Sequence, residues 1–520
     1  MRERTLSAGQ NAMPDPAEIQ DAENGAFRLV AEVSTTTPSR SVAGRLVRGA
    51  TIYALANFGL KGLSFLLIVW YTRFLSPSDY GVISLAEIVG AVVAALCALG
   101  LNGGMQRLYF HYVDQPQALR RYVSSVLRFA SISTLSVTAL VLLLGARFFA
   151  WLTPGLQVRF FPYIALAIGT ASAGQLFDYR LGIYQVQERP RPYAMLTGIA
   201  FLLTASAVII LVIIVRWGAL GMLLGKLVGA IVMLVASAYL SKDWLGGGWA
   251  WSFVRETLPI SLPLLPHTLL ALGLVVADRF ILQHYRSLDE VGIYSLAYTF
   301  GMAMYIVAAS LGQAWGPIFY DLARNGVRDQ DKILRALAAV VMLLTAVGIF
   351  GSLIAQSFTH WFLDSRYNAV GRLVPWIIGG YLFHALFSIF QLSALQARRT
   401  TFIWVISLGA FSANIVLNLA WVPSYGMYGA AYATLAAYLV EAVLMYAYAQ
   451  KVYGLPFLVE VVLGPILFLV GLGVSQVRWP DNIRPVVILA VLLGYGVVFW
   501  FRGGRSASRQ VWRLLKSVAG

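Results

Sequence analysis

Along most of this chain, apolar runs of about twenty residues alternate with short polar stretches. That is the length an α-helix needs to cross about 30 Å of hydrocarbon. The pattern predicts spans near residues 50–70, 81–103, 123–146, 161–182, 194–215 and 220–240, then 257–280, 292–316, 334–357, 373–395, 402–422 and 427–449. Two more follow near 458–477 and 485–501, giving about fourteen. Strands of an outer-membrane barrel would instead alternate over about ten residues. The predicted fold class is an all-α polytopic membrane protein.

Composition supports this class. Of 520 residues, 59% are hydrophobic and only 12% charged, about half the charged fraction of soluble domains. Mean hydropathy is +0.72 over the whole length. A soluble chain cannot hide so much apolar surface. The single Cys97 cannot form an internal disulfide and reads as a small packing residue in an apolar run.

Residues 1–48 are of another material, with Asp15, Glu18, Asp21 and Glu23, then a Ser/Thr stretch, then Arg40, Arg45 and Arg48. They read as a disordered cytoplasmic tail without a cleavable signal peptide, the first span serving as an uncleaved signal anchor. The expected division is a six-helix lobe over 49–245, a second over 246–450, two additional helices over 451–501 and a basic cytoplasmic tail over 502–520.

Lys and Arg exceed Asp and Glu by 16. With the N-terminus inside, cytoplasmic segments carry 25 Lys/Arg, counting Arg335 at the edge of its span, external loops 9, and five (Lys61, Arg128, Arg180, Lys226 and Arg279) lie deeper within spans. The positive-inside rule therefore places both termini in the cytoplasm and explains the excess without nucleic acid.

The chain also contains itself twice. Arg73-Phe74-Leu75 and Tyr80-Gly81-Val82 are answered by Arg279-Phe280-Ile281 and Val291-Gly292-Ile293, at offsets of 206 and 211. Trp217-Gly218-Ala219-Leu220-Gly221 is answered by Tyr425-Gly426-Met427-Tyr428-Gly429, at 208. Leu181 to Gln187-Glu188-Arg189 is answered by Leu392 to Gln396-Ala397-Arg398. Six spans per copy is an even number, so the two six-helix repeats are parallel, with a site expected between them.

Motifs for other chemistries fail. Gly221 to Leu227 resembles a P-loop but is one residue short and has Leu227 where Ser/Thr is required. The five histidines are scattered, so no metal and no cofactor is expected. No G-x-S-x-G elbow stands on a strand-to-helix turn, and the chain is not expected to be an enzyme.

Charges inside spans are the informative residues, because a Lys or Arg at a helix centre costs about 2.5–3.5 kcal/mol unless it faces protein or a wet cavity. Candidate substrate-binding residues are Lys61, its repeat mate His267, Lys226, Arg279, Arg128 and Arg180. Snorkelling competes for Lys226 and Arg279, simple headgroup contact for Arg128 and Arg180, and a neutral core role for His267. Candidate ion-coupling residues are Glu87, Glu441, Asp178 and Asp278. The last two sit beside Arg180 and Arg279 as candidate local ion pairs. Glu87 and Glu441 have no cation adjacent in sequence, and each is either paired across helices or protonatable.

Thr72 to Gly81, Pro259 to Pro266 leading into Ala277-Asp278-Arg279, Val291 to Ser295, and Asn414, Asn418 and Val422 to Ala431 carry a resemblance. The chain resembles the polysaccharide transporter branch of the multidrug/oligosaccharidyl-lipid/polysaccharide exporter superfamily, the O-antigen and exopolysaccharide flippases. The resemblance spans about residues 45–450 and implies two lobes around a central cavity. It implies a cargo of oligosaccharide on undecaprenyl pyrophosphate, flipped across the bacterial inner membrane for polysaccharide biosynthesis. Expected partners are this lipid-linked oligosaccharide, membrane lipids and a polysaccharide polymerase. The alternative within the superfamily is an ion-coupled multidrug exporter, which would use Glu87 and Glu441 as cargo sites. An integral-membrane glycosyltransferase ranks last, because the longest external loops, near 147–160 and 358–372, are short.

Overall fold

A computed structural model describes residues 59–152, 158–187, 189–262, 264–324, 330–397, 399, 401–453, 459–477 and 483–499. Both predicted tails and the start of the first span lie outside the described residues. The described elements are helical. They run α1 (Gly59–Tyr71), α2 (Pro77–Ala98), α3 (Leu101–Tyr112), α4 (Pro116–Leu152), α5 (Ala165–Val186), α6 (Pro190–Ile209) and α7 (Gly218–Leu240). There follow α8 (Trp251–Ser261), α9 (Leu264–Tyr285), α10 (Leu288–Arg324), α11 (Gln330–Phe362), α12 (Val370–Gln396), α13 (Thr401–Tyr425) and α14 (Met427–Tyr453). Last come α15 (Val459–Gln476) and α16 (Arg484–Phe499). Ten of the described helical segments are long and apolar enough to cross a membrane. With α1, α9, α15 and α16 they follow the fourteen predicted spans in order.

The boundaries differ where backbone chemistry overrides hydropathy. α2 begins at Pro77, earlier than the predicted 81, because Ser76 forms a capping box with Asp79 and Pro77 supplies a pre-set φ at the first turn. It ends at Ala98, where Leu99 and Gly100 turn left-handed before α3 starts. The span predicted at 81–103 thus runs over a break. A second break falls inside the span predicted at 257–280, which is split between α8 and α9. Pro259 and Pro266, on either side of the break, each lack an N–H donor. α4 and α10 have 37 residues each, about 55 Å of helix and more than the hydrocarbon requires.

The interior is arranged by the repeat. α2 packs on α5, α5 on α7 and α6 on α7; their mates repeat this as α10 on α12, α12 on α14 and α13 on α14. α12 is the most enclosed of the long helices, whereas α4, α6 and α13 turn mostly outward. Large apolar residues such as Leu143, Ile214 and Val416 stand on that outer surface, as a lipid-facing belt requires. α11 and α15 pack together at the side of the second repeat.

The two repeats meet where α2 lies along α10. A Cβ at Gly81 would strike the Leu288 carbonyl, and one at Gly292 the Pro77 carbonyl. These contacts are mates of one another at the offset of 211. Ser295 donates to Ser84 at 2.7 Å, and these too are mates, so a pseudo-two-fold axis passes between them. The symmetry extends outward from this seam. Asp79 accepts from the Ala219 amide at 3.1 Å, and Glu290 from the Met427 amide at 2.9 Å. Each acid caps the last helix of its own repeat, just past a glycine of positive φ, Gly218 at 53° and Gly426 at 58°.

Candidate functional site: a cavity between the repeats

Just inside the Gly81–Gly292 contact lies a cavity of about 510 Å³. Its walls come from α1 (Ser64, Tyr71), α2 (Tyr80, Ser84, Glu87), α6 (Thr204), α7 (Lys226), α9 (Arg279) and α10 (Ser295, Tyr298, Thr299). Both repeats contribute, and hydroxyl groups predominate among the polar lining residues. α2 brings Tyr80, Ser84 and Glu87 to one face through its three- and four-residue spacing.

Of the expected site residues, the structure brings together Glu87, Lys226 and Arg279, with Asp278 behind them. The two cations differ. Arg279 is buried and satisfied: Nη1 donates to the Val275 carbonyl at 2.6 Å and to Asp278 at 3.2 Å, and Nε donates to Ser295 at 3.2 Å. Its guanidinium also lies 4.3 Å from the Tyr298 ring centre. Asp278 accepts from the Tyr294 hydroxyl, which itself sits 3.3 Å from the Thr434 hydroxyl. This network fastens α9, α10 and α14 together; the adjacent acid and arginine form the local pair expected of them. Lys226 reaches across from α7 to Glu87 on α2, with side-chain exposures of 29% and 42%. Neither Lys226 nor Arg279 snorkels to an interface; both face the cavity.

The remaining residues are elsewhere. Glu441 is buried on α14, 3.1 Å from His384 Nδ1 on α12, and it accepts from Ser407 on α13 at 3.1 Å. Glu87 and Glu441 are therefore both paired across helices, the first of the two alternatives the sequence left open. Asp178 is exposed on α5, whereas Arg180 is buried and donates to the Leu176 carbonyl at 2.7 Å. Residues two apart point to different faces, so the pair expected between them does not form, and Arg180 does not reach for headgroups. Arg128 is exposed on α4, away from the cavity. Lys61 is exposed on α1, one turn from Ser64 on the cavity-facing side. His267 belongs to α9, but its side chain lies outside the described residues.

Three features escaped the sequence reading: the Ser84–Ser295 pair, the acids Asp79 and Glu290, and a clamp between loops. In the clamp, Arg366 Nη2 donates to the carbonyls of Thr72 at 3.2 Å and Arg73 at 3.3 Å, and Tyr367 donates to the Leu75 carbonyl at 3.0 Å. Applying the offset of 211 to Asp79 and Ser84 would have found the first two. The clamp joins loops with no repeat relation, and no sequence signal marked it.

A helical bundle of two parallel repeats, crossing a membrane many times and holding a cavity with Glu87, Lys226 and Arg279 in its otherwise largely apolar walls, is a fold that solved structures share. The lipid II flippase MurJ in an inward closed conformation superposes with a TM-score of 0.60 at 15% identity, covering 86% of this chain and 99% of that one. An inward-facing multidrug resistance MATE family transporter of the MOP superfamily superposes with a TM-score of 0.58 at 13% identity, covering 78% and 97%. The family described as polysaccharide biosynthesis protein matches residues 46–323, more than half of the chain, and the chain belongs to that family. Among curated proteins, none matches this sequence.

Proposed function

We propose that this protein flips an undecaprenyl-pyrophosphate-linked oligosaccharide repeat unit across the bacterial inner membrane, from the cytoplasmic to the periplasmic leaflet. The observation that carries this is Lys226, a cavity-exposed cation at the seam of the two repeats, in largely apolar walls that also carry hydroxyls. An ammonium suits a phosphate oxygen, and the partly exposed hydroxyls of Ser64, Ser84 and Thr204 suit sugar. The positive-inside pattern puts both termini in the cytoplasm and the Thr72–Ser76 loop outside, so this conformation is closed to the periplasm. The two lobes, 49–245 and 246–450, would rock about the α2–α10 seam to expose the cavity alternately. Binding energy for cargo takes the place of catalysis in this reading.

In proteoliposomes holding a fluorescent lipid-linked oligosaccharide, the parent should expose label to an external quencher. Lys226→Ala should slow this about tenfold or more, since a charge-assisted contact contributes about 1.5–3 kcal/mol and each 1.4 kcal/mol is a factor of ten. Unchanged flipping by Lys226→Ala, or export of cationic drugs in place of the lipid, would favour the multidrug alternative.

A further inference from the structure

The cavity carries two cations, and each already has a carboxylate, so it holds no uncompensated positive charge on these two residues. Arg279 is locked in a buried network that fastens three helices. Lys226 and Glu87 differ in two respects. They stand at the cavity surface, with 29% and 42% side-chain exposure. Their mates in the second repeat are Thr434 and Tyr298, so the same helix packing is built there without a charge pair. The pair is thus a local addition to one half of a symmetric frame.

We propose that Glu87 is a resident counter-ion that occupies the seat on Lys226 until a phosphate-type anion displaces it, the displacement placing one proton on Glu87. This rests on the functional reading above and names how the anion site is regulated. When an anion oxygen takes the ammonium hydrogen bonds, the Glu87 carboxylate is left beside a new negative charge without a partner. Two negative charges side by side repel, and the like charge favours the protonated form of the carboxyl. A hydronium ion or buffer acid gives its proton to one carboxylate oxygen and leaves as water or the conjugate base, so one O–H bond breaks as one forms and the repulsion is removed. Anion and proton then raise each other's affinity by the same factor.

The groups facing Glu87 are Lys226 from α7, Tyr80 from its own helix, Tyr71 from α1, and Arg279 and Tyr298 across the cavity from α9 and α10. α6 contributes Phe201, Thr204 and Ala205, which carry no charge. Lysine and arginine stay charged and tyrosine stays neutral on mild acidification. The other nearby carboxylate, Asp278, is buried between Arg279 and Tyr294. Glu87 is therefore the group left to accept the proton.

The test is calorimetric titration of the detergent-purified full chain with inorganic pyrophosphate, in mildly alkaline and mildly acidic buffer. In alkaline buffer Glu87→Gln should bind about tenfold or more tighter than the parent, and in acid the two should converge. Running the variant beside the parent removes the titration of the probe itself. Repeating the parent titration in buffers of different ionisation heat should show about one proton taken up per pyrophosphate beyond the probe's own, a measurement that needs no variant. Lys226→Thr should abolish most binding in both buffers. Equal alkaline affinities for parent and Glu87→Gln, or no proton uptake by the parent, overturn the counter-ion role. If the parent binds no pyrophosphate in either buffer, the anion-site reading falls and takes this inference with it.

Discussion

At the residue scale, the tightest constraints are the two glycines on the pseudo-two-fold axis. Gly81 and Gly292 each let a carbonyl of the partner helix approach where a Cβ would overlap it. The obstructing atoms are backbone, which cannot swing aside as a side chain can. Gly292→Ala should therefore force α2 and α10 apart and destabilise the seam by about 1–3 kcal/mol. A lowered melting temperature in detergent would register it, whereas Gly312→Ala, which meets open space, should melt like the parent. Cys97, by contrast, is buried and free, as a small packing residue should be.

The residue scale also shows how far a sequence can be read. Lys226, Arg279 and Glu87 were visible as charges inside apolar runs, because the membrane makes any such residue conspicuous. Their pairing was not visible, since Glu87 and Lys226 lie 139 positions apart. Asp178 and Arg180 misled for the opposite reason, as nearness along the chain does not give nearness on a helix face. Serines are inconspicuous at any position, so the Ser84–Ser295 contact required the symmetry to be applied residue by residue.

At the scale of elements, the loop between α11 and α12 clamps the loop between α1 and α2. Asp364 orients Arg366 through its Nε at 2.8 Å, and Arg366 then grips the Thr72 and Arg73 carbonyls. The Arg366 hydrogen bonds hold the Asp364 carboxyl below its ordinary value. A depressed folded value means that this contribution is present above the ordinary carboxyl range and is lost as pH falls through the folded value. Arg366→Ala should therefore open this end of the molecule at neutral pH, and strong acid should do the same to the parent. A thiol introduced as Ser84→Cys would report it: labelling from the Thr72 side should rise several-fold in the Arg366→Ala background. Unchanged labelling would assign the clamp to loop stability alone.

The helix ends show the same division between legible and hidden. Period and length gave the order of the helices, because twenty apolar residues have few other fates. The breaks at Leu99–Gly100 and between α8 and α9 passed unnoticed, because an averaging window is blind to φ and to missing donors. In the second repeat the mate of the first break lies within the continuous 37-residue α10. The two copies have thus diverged in backbone as well as in side chains.

At the scale of the whole molecule, topology can be tested against the clamp. Ser76 and Arg366 belong to one end, since Arg366 bonds the carbonyls three and four residues before Ser76. Reporter tags placed after each must therefore agree, and the cation pattern expects both to read as periplasmic. Tags after Glu188 and Arg328 should read as cytoplasmic. A disagreement between Ser76 and Arg366 would contradict the fold itself, while a joint reversal would contradict only the orientation.

The shared geometry of Asp79 with Ala219 and of Glu290 with Met427 means that the shell of this protein is nearly indifferent to exchanging its halves. The lumen is not. Lysine and glutamate face it from one repeat, while threonine and tyrosine hold the equivalent places in the other. A lumen of this kind has a left and a right. On the function proposed above, the ionic end of the cargo would face the partly exposed Lys226 of α7, because Arg279 of the second repeat is already fastened in its buried network. Grafting the Glu87 and Lys226 side chains onto the second repeat would restore the symmetry and remove that sense of direction.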